Sequence, residues 1–582
     1  MALVPDHYSI EDALREFENQ RGTVSHSEWL IRKWCRGRLS AVEVLDGART
    51  VAANDQDPLL ANLSRLNIHN AHRDLLRLLQ RQCTDLPPLY WAKVPLWDTR
   101  RNVQYIADIP FNLPHEWLHT LATDPSLWTD DFTPEMQDQL RSWKVRMGFG
   151  EEERRPICSL AVWGDTAPYH TGRDSVLLLL WSCTSSSQAS GKRHWVTLVS
   201  KNTLCQCGCH GRHTLDALWR VIGWSLTVLV SGVFPNTDHV GHGFSGGWRM
   251  MLAGKPLRLL GACLQFRGDW PWLCHVFGLK THASRDACFL CGGGANMLAP
   301  LTDASSTAEW RHMHVNMRDW LHNRMLTGAY ISEVYTWPGF IFEYIVLDWM
   351  HMVDLGCAQF CVGNILMEVF HTLGGRVTDP APTLARICNY LNDAANGLDT
   401  TLPFSRLTLS MLRSEKGVPV FKGKAANTRH LVPIVLGMLS SHFPSETGRD
   451  VRRFKCLEFL NTAYEELDNW QEGSPARLEE MCRRHVLLYL SLAREAADIA
   501  QRAELPWLAW RWKPKHHMLL HLSSHQALAM GNPRLWWCYL DESAIGMAVD
   551  LAETVHVRTL PQAALSKRLV WEMLDLLRDR DR

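Results

Sequence analysis

No net charge stands on this chain: Lys and Arg together number 61, and so do Asp and Glu. That balance excludes a global positive field drawing the molecule to nucleic acid, so any such surface has to be local. No apolar run reaches the roughly 20 residues that a bilayer-spanning helix needs. The longest, Val221 to Phe234, reads as a buried helix, and no membrane association is expected. The opening MALVPDHYSIEDALREFENQ carries acidic residues where a secretory leader would need an apolar stretch, which points to an intracellular protein. Long low-complexity or Ser/Pro-rich stretches and short-period repeats are also missing. With 46% hydrophobic and 21% charged residues, the composition is that of a folded globular protein.

What is present is length, and cysteine in an unusual distribution. A chain of 582 residues exceeds one hydrophobic core, and roughly two to four structural units are expected. The 17 cysteines are odd in number and irregularly spaced, several within two or three residues of another. That pattern suits reduced thiols or metal ligation better than a secreted disulfide framework.

Residues 1–150 read as a helical or irregular N-terminal region. Ser25 to Asn54 has helical spacing, Leu59 to Gln82 suggests a further helix, and Pro87-Pro88 punctuates the chain. From Ile157 the character changes. Short apolar runs at Cys158–Trp163, Ser175–Cys183, His194–Val199 and Leu257–Phe266 predict strands, with a fifth at Phe340–Leu347. A buried helix is expected over His213–Ser231, between the third and fourth strands, and another over Trp270–Leu279. A crossover helix between those strands makes them parallel in a sheet with helical cover. The predicted class is α/β: a ribonuclease-H-like mixed-sheet core over 151–355, a helical insertion over 356–505, and C-terminal helices over 506–582 that complete the core.

Asp165 follows the first strand in AVWGDTAP, and Asp269 follows the fourth in LQFRGDWP. A Gly-Asp pair after a strand is also an ordinary turn. Two of them at the ends of neighbouring strands would converge at one sheet edge, and a third carboxylate on a nearby helix would complete a cage. Oxygen ligands suit Mg²⁺ or Mn²⁺. Two such ions about 4 Å apart can activate a water or 3′-hydroxyl and stabilise the leaving oxygen of a phosphodiester.

A second constellation is soft. Cys205-Gln-Cys207-Gly-Cys209-His210-Gly-Arg-His213 packs five candidate ligands together, and Cys288-Phe-Leu-Cys291 is a CxxC knuckle. The expectation is one structural Zn²⁺ held by Cys207, Cys209 and His213 with Cys288 and Cys291. Cys205 and His210 rank below them, and His312, His314 and His322 are replacements should the two clusters not meet. Free buried thiols beside a polar turn are the alternative. Local basic patches lie at Lys513, Lys515, His516 and His517, at Lys422, Lys424, Arg429 and His430, and at Arg32, Lys33, Arg36 and Arg38 among Trp29 and Trp34. Each could contact phosphates or be a solvated face. No helix-turn-helix or tandem finger motif is evident.

The run from GDTAP through CGCHGRHTLDALWRVIGWS, GDWPWL, RDACFLC and LDWMHMVDLG to KPKHHMLLHL and GNPRLWWCYLDESAIG resembles the CACTA (En/Spm) and Plavaka group of DDE transposases, over about residues 155 to 560. The resemblance implies metal-dependent DNA strand cleavage and strand transfer in the nucleus. It implies DNA as partner, both element ends and target, and a homo-oligomer. It matches Asp165 and Asp269 to the first two acids and Asp348-Trp-Met-His351 to a Cys/Asp-x-x-His signature that shapes the active site. For the last acid, on a helix beyond the insertion, it points to Glu542, with Asp541, Glu553 and Glu368 as alternatives. Helical spacing puts Glu542 on one face with Ile545 and Val549, turning Asp541 elsewhere. Asp348 can equally be a helix N-cap, and Asp541-Glu542 a dipole-compensating pair. A transposase-derived DNA- or protein-binding factor without catalysis, and a ribonuclease-H-like nuclease, are the competing expectations.

Overall fold

The computed structural model describes residues 24–52, 55–82, 86–122, 132–150, 153–169, 174–184, 192–281, 283–284, 288–294, 300–444, 447–506 and 508–580. The acidic opening, the polar turn after Cys183 and part of RDACFLC lie outside them. The architecture is mixed α/β, with most residues helical around one four-stranded sheet and a separate two-stranded one.

The N-terminal helical stretch breaks in two, α1 (His26–Cys35) and α2 (Ala41–Val51). Gly37 between them has φ 73°, which a glycine adopts at no steric cost. Ser40 and Glu43 then close a capping box on α2. The helix expected over 59–82 likewise divides at Asn67, and its second half is α3 (Ala71–Gln82).

Residues 90–111 correct the expectation of an all-helical or irregular first region. They form a hairpin of β1 (Tyr90–Asp98) and β2 (Val103–Phe111). Tyr90, Ala92, Val94 and Leu96 alternate inward at period two, and Asn102 takes the left-handed conformation in the turn. Nor does the first region stand apart from the rest. Arg32 of α1 pairs with Asp575 at 2.8 Å, and Arg32 and Arg36 both lie over the Trp571 ring.

The main sheet has the order β5-β4-β3-β6, built from β3 (Ile157–Tyr169), β4 (Asp174–Cys183), β5 (His194–Ser200) and β6 (Leu260–Arg267). β3–β4 and β4–β5 are antiparallel; β3–β6 is parallel. The strands are buried along nearly their whole length, as their continuous apolar runs require. After α4 (Pro114–Leu121), α5 (Arg212–Ser231) makes the crossover to β6. The fifth expected strand is absent: Phe342–Tyr344 is a 3₁₀ turn, and only an Ile345–Phe266 bridge extends the sheet. Its aromatic residues point into a cluster instead, with Phe342 5.2 Å from the Trp320 ring and Phe340 stacked on Phe277.

Beyond α6 (Trp270–Phe277), the chain winds through a wide π-helical stretch, Met350–Cys357, into α7 (Ala358–Thr372). Met350–Thr372 is long and apolar enough to cross a membrane, but most of it is buried inside the fold. α8 (Ala381–Gly397), α9 (Ala425–His442), α10 (Gly448–Asp468) and α11 (Ser474–Arg502) follow. The C-terminal segment returns to the sheet as α12 (Pro514–His521), α13 (Tyr539–Thr554), packed on β3 and β4, and α14 (Leu560–Arg580), packed on β5.

Candidate active site and metal centres

The parallel pairing of β3 with β6 ends at Trp163 opposite Arg267, and Asp165 and Asp269 lie two residues beyond it on adjacent strands; Asp165 does not follow its strand, as the sequence suggested, but sits within β3, paired with Leu178 of β4. Their glycines serve close packing. A Cβ on Gly164 would sit 2.6 Å from the Trp272 ring, and one on Gly268 would sit 2.5 Å from that ring and 3.2 Å from the Gly164 carbonyl. Asp269 also caps α6, accepting the Trp272 N–H at 2.6 Å, while Asp165 accepts the Thr166 N–H at 2.6 Å.

Glu542 reaches this edge from the first turn of α13. Its Oε1 lies 3.8 Å from His351 Nε2 and is a buried carboxylate oxygen with no hydrogen-bond partner. The neighbouring Asp541 turns the other way and is buried in an ion pair with Arg193. Glu368 is used inside the helical region, accepting from Trp510 Nε1 at 2.7 Å and Arg449 Nη2 at 2.5 Å, which removes it as a third acid. Glu553 is exposed at the far end of the helix.

The acids feel one another. Burial, then the charge of Asp269 and, more weakly, that of Glu542, push Asp165 up to about 7. Glu542 is raised by burial, with Asp348 and Asp269 adding and His351 opposing. Half-buried Asp165 and Glu542, raised by burial and by the neighbouring carboxylates, with one Glu542 oxygen left unpartnered, have the donor chemistry a divalent cation neutralises. Among the described residues the groups whose donors all fall within 4.8 Å of one another do not include these three carboxylates. Ligands shared between two ions about 4 Å apart spread wider than those of a single ion.

Asp348 is fully buried and saturated. It accepts the N–H groups of Met350 at 3.1 Å, His351 at 3.0 Å and Cys538 at 2.9 Å, and His351 Nδ1 at 2.6 Å. One side chain thus ties His351 to the start of the helix bearing Glu542, and its bonds to the Met350 and His351 N–H groups are those of a helix N-cap. Burial disfavours a charged His351, but Asp348, then Glu542 and Asp269, overcome that and raise it to about 9. Lys515 stands behind this stretch, its Nζ donating to the carbonyls of His351 at 2.7 Å and Leu355 at 2.9 Å. The second of these carbonyls belongs to the residue at the kink in the π-helical stretch.

The cysteines and histidines correct the single-zinc expectation. Cys207, Cys209 and His213 group with Cys205, whereas Cys288 and Cys291 group with His517 and His521 of α12. Sheet order explains the separation. The first set follows β5 at one edge of the sheet, and the CxxC follows β6 and α6 at the other. His210, His312, His314 and His322 belong to neither group. Zinc bonds of about 2.3 Å to sulfur and about 2.0 Å to nitrogen at a tetrahedral angle imply S···N edges of about 3.5 Å and N···N edges of about 3.3 Å. In the first group Cys205 and Cys207 Sγ lie 3.6 and 3.4 Å from His213 Nδ1. In the second, Cys291 Sγ lies 3.4 Å from His517 Nε2, which is 3.1 Å from His521 Nε2. Burial drops His521 to about 3, so it presents a neutral ring. Both groups can hold a metal ion, and their donors fit one. His517, read above within a basic patch, is a buried ligand-type residue; its i, i+4 spacing to His521 was the available signal.

The basic residues are mostly engaged within the fold. Besides Arg32 and Arg36, Lys33 lies over Trp29, Arg38 pairs with Asp550 at 3.3 Å and Arg429 with Asp468 at 2.9 Å. Lys513 sits over the Phe360 ring. Comparison of the chain with protein-family models and with curated proteins found no match.

Proposed function

We propose that the protein is a DDE-type enzyme of the transposase kind, with a ribonuclease-H-like core, that cuts DNA strands and joins their 3′ ends to a target. The observation carrying this is Glu542. Its unpartnered oxygen comes to the same edge as Asp165 and Asp269 from the far side of a helical insertion. Asp165, Asp269 and Glu542 would hold two Mg²⁺ or Mn²⁺ ions, which when bound supply activation of the attacking oxygen and charge neutralisation on the leaving one. Asp348 orients His351, and His351 holds positive charge against Glu542. Zn²⁺ at each of the two Cys/His groups is structural in this reading. Element ends and target DNA are the proposed partners, in a homo-oligomer acting in the nucleus.

The test is Mn²⁺-dependent cleavage of labelled duplex. Asp165→Asn, Asp269→Asn and Glu542→Gln should each lower the rate by at least about a hundredfold. Variants cutting as fast as the parent would refute the assignment. A second reading, a transposase-derived binding factor without catalysis, is favoured by zero net charge and by the engagement of the N-terminal cations with Trp571 and Asp575. It predicts no cutting by the parent under any divalent cation. Cleavage confined to an RNA strand would identify a ribonuclease-H-like nuclease instead.

A further inference from the structure

We propose that the cleft between the β1–β2 hairpin and the turn joining α13 to α14 binds a single nucleic-acid strand, gripping its phosphates and stacking on its bases. This rests on the reading above only for the strand's continuation to the carboxylates.

The cleft has a volume of about 740 Å³ and is lined by Arg100 and Arg101 from the hairpin turn and by His556 and Arg558 from the opposite wall. Among the described residues these three guanidinium groups make no ion pair, unlike the N-terminal cations. Trp91 and Tyr105, also in the lining, are 45% and 40% exposed, and among the described residues no other tryptophan is as open as Trp91. Two acids also stand in the wall, Asp98 and Asp108, fewer than the three arginines and His556 that face them. Asp98 accepts the N–H groups of Arg100 and Arg101 at 3.0 and 3.1 Å and so shapes the turn that presents them. Asp108 stands opposite Lys93 in the strand register. Unpaired cations interleaved with exposed aromatic faces are what an unstacked strand requires: charge for phosphate, π-surface for bases.

Position relates the cleft to the carboxylates. β5 runs parallel to β3, because both are antiparallel to β4. Val176 pairs with Ala167 on one side and with Ser200 on the other, and Ser200 lines the cleft. The cleft therefore opens at the sheet end bearing Asp165, two strand spacings or about 10 Å away. Helix α13 begins at Glu542's turn and hands on to His556 and Arg558 past its end, about 20 Å further.

The experiment is fluorescence anisotropy of a labelled 30-nucleotide single-stranded DNA, without divalent cation or chelator, over a salt series. Arg100→Ala/Arg101→Ala/Arg558→Ala should weaken binding at least tenfold and flatten the log K against log[salt] slope by about 2. Trp91→Ala should weaken it about tenfold and Trp91→Phe much less. All these side chains are exposed, so unchanged melting temperatures are expected and serve as the folding control. A parent that fails to bind, or a triple variant with the parent's affinity and slope, overturns the proposal, as does preference for a protein ligand at this surface. Asp165→Asn/Asp269→Asn separates the two readings. Lost cleavage with retained binding supports both, whereas strand binding that depends on the three arginines with no cleavage by the parent removes the enzyme and leaves the cleft.

Discussion

Among the described Cys/His groups, those around His213 and His517 use the same chemistry but are assembled in different ways, beside a third, buried group of Cys361, Cys456 and His485. Cys205, Cys207, Cys209 and His213 lie within nine consecutive residues, partly exposed, at the start of α5. Cys288, Cys291, His517 and His521 are all buried, and Cys291 and His517 are 226 residues apart. The first group can close as soon as its own turn forms. The second can close only after the helices from α7 to α11 have folded and returned α12 to the core. A metal there would act as a clasp across those helices, and its binding energy would be folding energy.

The sharpest way to break this contrast is to remove one ligand from each group. Cys291→Ser or His517→Ala should cost about 3 kcal/mol or more in denaturant unfolding and release one zinc per chain. Cys207→Ser should also release one zinc but cost about 1 kcal/mol or less, since it is exposed and local. Equal losses would end the distinction. Chelator titration followed by a zinc dye should then show two steps, the 205–213 group emptying first and without loss of fold. A single step coincident with unfolding would contradict it.

A smaller effect compares these soft sites with the carboxylate edge. Asp165 is raised in the folded protein, from an ordinary value near 3.8 to about 7. Between those values the folded state binds the extra proton, so this residue's contribution to stability falls as pH rises from about 4 to 7. Asp165→Asn should therefore gain on the parent in melting temperature over that window, and Mn²⁺ should erase the gain by stabilising the parent alone. The soft sites should show no such response to Mn²⁺. A pH-independent difference between Asp165→Asn and parent would show that Asp165 is not raised in the fold.

Much of the sheet was legible in the sequence because buried strands need unbroken apolar runs. SVLLLLWSC and HWVTLV can satisfy little else, and Gly-Asp marked the end of β6, whereas β3 runs on through Gly164-Asp165 to Tyr169. The hairpin at 90–111 was hidden by Pro95 and Pro110, which look like breakers in a sequence but sit in a two-stranded ribbon with free edges. FIFEYIVL has strand composition, yet its rings found a better partner in Phe277 and Trp320 than in a sheet edge. The pairing of Cys288 and Cys291 with His517 and His521 was unreadable because no local rule spans an insertion. The 100° of helical rotation between Asp541 and Glu542 separated the two residues, but not in the expected sense, since Asp541 is the buried one, paired with Arg193, and Glu542 is half-buried.

The wide turn before α7 has its own bearing on chain length. A π-helical turn is an α-helix carrying one surplus residue. Between His351 and Leu355 that surplus leaves carbonyls free to be taken by the Lys515 ammonium. Deleting one residue there would let the helix close into regular i→i−4 bonding, and the lysine would be evicted from its seat while both flanking segments stayed folded. A one-residue deletion elsewhere in the same helix has no such slack to absorb it and would rotate every side chain beyond it out of register.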